Sequence, residues 1–249
     1  MTTPSQPTHR VDDSDDYTVY QTSTISALLA GVYDGDVTVA QLLEHGDFGL
    51  GTFNHLDGEM VVVDGVCYHL RDDGSVTIAA GTDRTPFAAV TRFHATTSIT
   101  ISEPCTLAAL TGRVDAAVRS ANVPLAVRID GTFSTIRTRT VGEQHEPYPP
   151  LVEAAAGEAV NTLHDATGTV AGFRTPQFEQ AIAVAGYHLH FVDDARRHGG
   201  HVLDLEVRSA QVRISPVTEM RLAVPDDAAF LGADIDVDQI GQQERQAEG

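Results

Sequence analysis

The stretch Gly186-Tyr187-His188-Leu189-His190-Phe191 alternates side-chain character residue by residue, and that alternation constrains the chain more than any other feature. It is the pattern of a β-strand, in which side chains two apart share a face. His188 and His190 therefore project together, with Tyr187, Leu189 and Phe191 on the opposite side. Asp193-Asp194-Ala195-Arg196-Arg197-His198-Gly199-Gly200 reads as a polar turn with glycines at its end. Beyond it, His201-Val202-Leu203-Asp204-Leu205-Glu206-Val207 alternates again, so the chain folds back as a neighbouring strand. A hairpin of this kind brings His201 beside the first pair, while His198 in the turn competes as third ligand. Three imidazoles with no fourth protein ligand give zinc an open position, as in a catalytic rather than a closed structural site. The plainer reading stands beside this one. The chain carries 11 histidines, and isolated histidines are usually surface residues or satisfied core donors.

Charge narrows the choice of partners. The formal net charge is -19, and all 16 basic residues are arginines. A surface this acidic repels nucleic-acid phosphates, so no nucleic-acid partner is expected. At 249 residues the chain can bury a substantial core. Cys67 and Cys105 form neither a CxxC pair nor a disulfide framework, which points to a reducing compartment. The first twenty residues (1–20) lack a cationic start and a hydrophobic run, and no apolar stretch approaches the roughly 20 residues of a membrane helix. The expectation is a cytoplasmic protein with no membrane partner.

Residues 1–16, with Asp12-Asp13-Ser14-Asp15-Asp16, read as a disordered acidic N-terminus. Tyr17-Thr18-Val19-Tyr20-Gln21 is a first strand. Short helices are expected over 24–30, capped by Ser23 or Thr24, and over 38–45, capped by Asp36 or Thr38. From 48 to 100 strands and turns dominate, with Asp57-Gly58, Asp64-Gly65 and Asp72-Asp73-Gly74-Ser75 as turn signals. Leu107, Leu110, Val114 and Val118 give a helical period to 105–120. Stretches 125–131 and 133–141 read as a strand pair. On the second, Thr135, Arg137 and Arg139 share a face, which suits either an anion site or a solvated edge. Pro147-Tyr148-Pro149-Pro150 is a rigid breaker and the best candidate boundary. It divides a mixed-sheet portion (17–150) from a metal-binding β-rich portion (151–235), before a tail (236–249). A helix is read within 151–163, a short final strand over 220–224, and a helix over 240–248.

Ordered blocks over roughly 20–235 resemble the acetolactate decarboxylase family. They are Gly46-Asp47-Phe48-Gly49-Leu50-Gly51-Thr52-Phe53, Leu56-Asp57-Gly58-Glu59-Met60, Thr85-Pro86-Phe87-Ala88 and the arginine strand 133–141. Further blocks are Glu146-Pro147-Tyr148-Pro149-Pro150-Leu151, Gly172-Phe173-Arg174-Thr175-Pro176 and the histidine hairpin. The combination is far more specific than any single motif. The resemblance implies an α/β (α+β) fold, with an N-terminal mixed β-sheet and helices packed to a smaller β-barrel-like part. It implies a carbon–carbon lyase converting (S)-2-acetolactate to (R)-acetoin and carbon dioxide, as a homodimer. Some relatives are exported; this chain shows no leader.

The same resemblance implies zinc held by His188, His190 and His201. The family's arginine falls on Arg139, with Arg137 beside it, its acidic residue on Glu59, and a substrate-binding threonine on Thr52. A second glutamate falls on Glu248, or on Glu244. Zinc would act as a Lewis acid on the enediolate left by decarboxylation. Glu59 would protonate one face, directly or through a water, and Arg139 would hold the carboxylate or the oxyanion. Without the resemblance, Glu59 and Asp57 are turn residues, Asp193 and Asp194 are turn residues or imidazole partners, and Glu248 is a solvated tail carboxylate. Tyr148 is placed at the pocket border. Two rivals remain: a zinc hydrolase, and a non-catalytic metal-binding or sensor protein on a β-scaffold.

Overall fold

A computed structural model describes residues 17–235 and 240–248, apart from the side chains of 244, 245 and 248. The acidic stretch 1–16, and residues 236–239 and 249 of the tail, lie outside the described residues. The fold is α+β and mostly strand, built around two sheets.

The seven-stranded sheet runs in the spatial order Glu219–Ala223, Thr18–Thr22, Ala88–Thr91, Phe48–Thr52, Glu59–Val63, Val66–Leu70, Val76–Ile78. Its first pair is parallel and the rest antiparallel, so the sheet is mixed. In the six-stranded sheet, Leu125–Thr140, Ala159–Thr175, Gly186–Asp193 and Gly199–Pro216 pair each with the next, and the last pairs back onto the first. This closes a ring, the barrel-like part. It is not a regular barrel: the closing contact between Gly186–Asp193 and Gly199–Pro216 spans only His190–His201, Phe191–Gly200 and Val192–Gly199. Thr97–Ile101 and Cys105–Thr106 add to the outside of Gly199–Pro216.

Phe48, Leu50, Val61, Val63 and Leu70 of the first sheet pack against Ala126, Ala171, Phe173 and Val192 of the second. This apolar seam holds the sheets face to face. A second cluster, with Phe133, Phe191, Leu110 and Val114, fills the ring and seats the helix Leu107–Ala117. Thr24 caps Ile25–Leu29, and Thr38 caps Val39–His45 through a capping box with Gln41.

One expectation is corrected, and two others gain detail. The boundary between the sheets does not coincide with the proline segment. Residues 97–140 already belong to the second sheet, and Glu219–Ala223 returns to the first. The stretches 125–131 and 133–141 are one continuous strand, because Gly131 serves close approach rather than a turn: a Cβ there would stand 2.5 Å from the Ser209 carbonyl oxygen. The helix read within 151–163 forms as Leu151–Ala155, and a strand begins at Ala159. The alanine run favours a helix locally, but past Gly157 the alternation of Val160, Thr162 and His164 pairs with the arginine strand instead.

Candidate active site

The histidine hairpin forms as its alternation requires. His188 and His190 lie on one face of Gly186–Asp193, and His201 stands directly opposite His190 on the return strand. The return is close because a Cβ on Gly199 would stand 2.5 Å from the Phe191 carbonyl oxygen. Gly200, at φ +148°, brings the same strand against the Arg139 carbonyl oxygen, which a Cβ would meet at 2.7 Å. All three rings are buried, with centroids 5.0, 5.1 and 5.4 Å apart, and one nitrogen from each lies within 4.8 Å of the others.

The donor chemistry suits a cation. Nδ1–H of His190 donates to the Met60 carbonyl oxygen at 2.7 Å, leaving Nε2 as the lone-pair nitrogen. Around a tetrahedral zinc with bonds of about 2.0–2.1 Å, neighbouring nitrogens stand roughly 3.3–3.4 Å apart, and the Nε2 atoms of His188 and His190 are 3.2 Å apart. Burial, the His190 ring and Arg139 together hold His188 well below the usual imidazole range. Burial likewise pushes His190 down to about 4, against the opposing pull of its bond to Met60. These two rings are neutral near pH 7, the form in which an imidazole nitrogen can accept a metal. His198 is not part of the set; it is exposed and pairs with Asp193 at 3.1 Å.

The opposite wall comes from the other sheet. Glu59 opens the strand Glu59–Val63 and faces Thr52 in register. Its Oε2 lies 3.6 Å from His190 Nε2, and Thr52 Oγ1 donates to the Gly58 carbonyl oxygen at 2.7 Å. Arg139 stands opposite His201 and is buried, its Nη1 bonded to Glu158 Oε2 at 3.0 Å. One small cavity is lined by Thr52, Glu59, Arg139 and His188, with Leu28, Leu151 and other apolar side chains closing it. Ala247 lines it too, so the helix Ile240–Glu248 lies against the site; the Glu244 and Glu248 side chains lie outside the described residues.

Arg137 is exposed, which leaves Arg139 as the arginine of the cavity. Asp193 is a turn residue: its Oδ1 accepts from the backbone N–H of Arg197 at 2.7 Å and of His198 at 3.2 Å. Asp194 is exposed in the same turn. Tyr148 is not in the cavity lining but borders it, packed against the apolar cluster that closes the cavity while its hydroxyl bonds Asp34 and His55. Two groups escaped the sequence reading. The Met60 carbonyl carries no side-chain signal, and Glu158, after Gly157, looks like any loop carboxylate.

The fold and the site together define a class: a two-sheet α+β protein with a buried three-histidine metal-type centre, a carboxyl and a guanidinium converging on one cavity. The chain belongs to the alpha-acetolactate decarboxylase family, whose model matches residues 19–237. The alpha-acetolactate decarboxylase of Methylococcus capsulatus is 46% identical over 221 residues, covering 89% of this chain and 85% of that protein. That of Bacillus licheniformis is 42% identical over 93% of this chain and 91% of its own length. The crystal structure of the Bacillus subtilis enzyme superposes with a TM-score of 0.92 at 40% identity, covering 93% of this chain and 99% of that one.

Proposed function

We propose that the protein decarboxylates (S)-2-acetolactate to (R)-acetoin, with zinc held by His188, His190 and His201. The observation that carries this reading is the shared cavity: Glu59, Arg139 and His188 open onto one space, with Thr52 beside them. Family membership and the named relatives support the substrate.

Zinc held by His188, His190 and His201 would supply a Lewis acid for the oxygens on which negative charge develops. The chain's own residues do the rest. Arg139, buried and fixed against Glu158, offers positive charge to the substrate carboxylate and to the negative charge remaining when carbon dioxide leaves. One proton must then reach one face of the carbanionic carbon. Glu59 lies on the His190 side of the cavity and delivers it, directly or through a water. Leu28, Leu56, Phe87, Val141 and Leu151 keep bulk water away, which strengthens each of these charges.

The test is to feed racemic acetolactate to the purified protein and follow carbon dioxide and the handedness of the acetoin. Release of carbon dioxide with one acetoin enantiomer in excess supports the reading. Absence of turnover by zinc-loaded protein, or turnover only of esters and amides, would transfer the site to a hydrolase or a metal-binding module.

A further inference from the structure

Glu59 and Met60, which serve the site by side chain and by carbonyl respectively, both follow directly from an unusual turn. His55 (φ 64°), Leu56 (φ 56°) and Gly58 (φ 78°) all lie in the left-handed region. For His55 and Leu56 that conformation is costly, so surrounding contacts must hold it. Gly58 admits no side chain, since a Cβ would stand 2.3 Å from the Leu70 carbonyl oxygen.

The start of this turn is held by backbone bonds of His55 to Tyr33 and Gln144. Its end, at Asp57, is gripped by a closed network on the neighbouring strand Val66–Leu70 and just beyond it. His69 is buried and stacked on Phe53, with ring centroids 3.9 Å apart. Its Nε2 makes a short hydrogen bond to the Asp57 carbonyl oxygen, which can only accept. Its Nδ1 lies 3.1 Å from an Arg71 nitrogen, which can only donate. The two contacts fix one neutral tautomer, Nε2–H with a lone pair on Nδ1, and burial holds the ring neutral by lowering its pKa. Arg71 Nη1 closes the loop on Asp57 Oδ2 at 2.7 Å. Asp57 is thus held at both its carbonyl and its carboxylate. The residue after the next is Glu59, and Met60 pairs with His69 in register.

We propose that His69 and Arg71 are positioning residues: with Asp57 they form a clamp that sets where Glu59 stands in the cavity and where the Met60 carbonyl meets His190. Neither touches substrate or metal; they act through the turn. The kinetic part of this inference rests on the decarboxylase reading, and the structural part does not.

The test compares His69→Phe, His69→Gln and Arg71→Gln with the native protein, all loaded with zinc. Phenylalanine keeps the stacking on Phe53 and removes both hydrogen bonds. Glutamine places a donor near the old Nε2 position and restores the bond to Asp57. His69→Phe is expected to lower kcat on acetolactate at least tenfold, in keeping with the sensitivity of catalysis to ångström-scale misplacement. KM should stay within threefold. His69→Gln should recover most of that loss, and Arg71→Gln should lose about threefold to tenfold. Hydrogen exchange needs no substrate: the Asp57, Gly58 and Met60 amides should exchange faster in His69→Phe, while the Gly186–Asp193 strand stays protected. If His69→Phe folds, keeps kcat within twofold and leaves those amides unchanged, the clamp is overturned. Should His69→Phe fail to fold, the half-buried Arg71→Gln decides by the same two readouts. A native protein inert on acetolactate would sink the decarboxylase reading, and the exchange data would still decide the clamp.

Discussion

The two walls of the cavity are built in opposite ways. The histidine and arginine wall stands on long paired strands, and alternation points the histidines inward. A register shift between Arg137 and Thr138 breaks the face expected to carry both arginines, leaving Arg137 exposed and Arg139 buried. The wall with Thr52 and Glu59 stands on the ends of short strands beside a left-handed turn, where side-chain hydrogen bonds add to a short ladder. The ligand wall therefore tolerates little change of register, whereas the acidic wall depends on a few local bonds. A metal centre needs fixed nitrogen positions; a proton donor needs one carboxyl aimed at one carbon, which a clamped turn can provide.

The sharpest way to break this comparison is to disable each wall in turn. His190→Ala should abolish metal retention and lower turnover by about a thousandfold or more, because a tetrahedral site with two imidazoles holds zinc poorly. Glu59→Gln should retain about one zinc per chain and still lose on the order of a hundredfold or more in kcat. Metal analysis beside kinetics separates the two, and equal metal loss in both variants would erase the distinction between the walls. Arg139→Ala belongs with Glu59 in this test: metal kept, and kcat down by about a hundredfold.

The burial of His188 and His190 gives the histidine wall a pH signature, to which the buried His69 of the other wall adds in the same direction. His188 and His190 both fall below the ordinary value of 6.5, His190 to about 4. Between those values the unfolded chain binds protons that the folded chain does not, so acidification favours unfolding. Stability of the metal-stripped protein should therefore rise from about pH 4 to about 6.5 and then level off. Protons also compete with zinc for the same nitrogens, so metal affinity falls in the same direction. Thermal midpoints of stripped native protein and of His190→Phe should diverge across this window, the variant being flatter. Parallel curves would mean that the imidazoles are not neutral in the fold.

The smallest expected effect concerns the hairpin turn. Asp193→Ala removes the acceptor for two backbone N–H groups and should cost about 1 kcal/mol in denaturant unfolding. Activity should change less than about twofold, since a turn bond worth so little leaves the paired strands in register. A large loss of turnover would mean that this turn sets the ligand geometry after all.

The contrast between the walls also explains which features could be read from sequence. The period-two text of the hairpin survives any context, because pairing one residue out of step would turn both histidines to the wrong face. Helices 24–30 and 38–45 were equally readable from their caps. Gly131 misled, since it reads as the end of a strand and is instead a point of close approach inside one. A glycine marks a turn, a break or a close approach, and only the neighbouring strand decides which. The Met60 carbonyl and the His69–Arg71–Asp57 network were invisible, since they depend on backbone atoms and on a turn with no strong local code. Glu59 was reached only through the family resemblance.

The most direct measurement is a zinc titration of the metal-stripped protein with acetolactate turnover as the signal. Turnover should be near zero at the start and rise in proportion to added zinc. It should saturate at about one ion per chain, and His190→Ala should stay flat throughout. Full decarboxylation by rigorously metal-free protein, or a native-like titration by His190→Ala, would contradict the account at its centre.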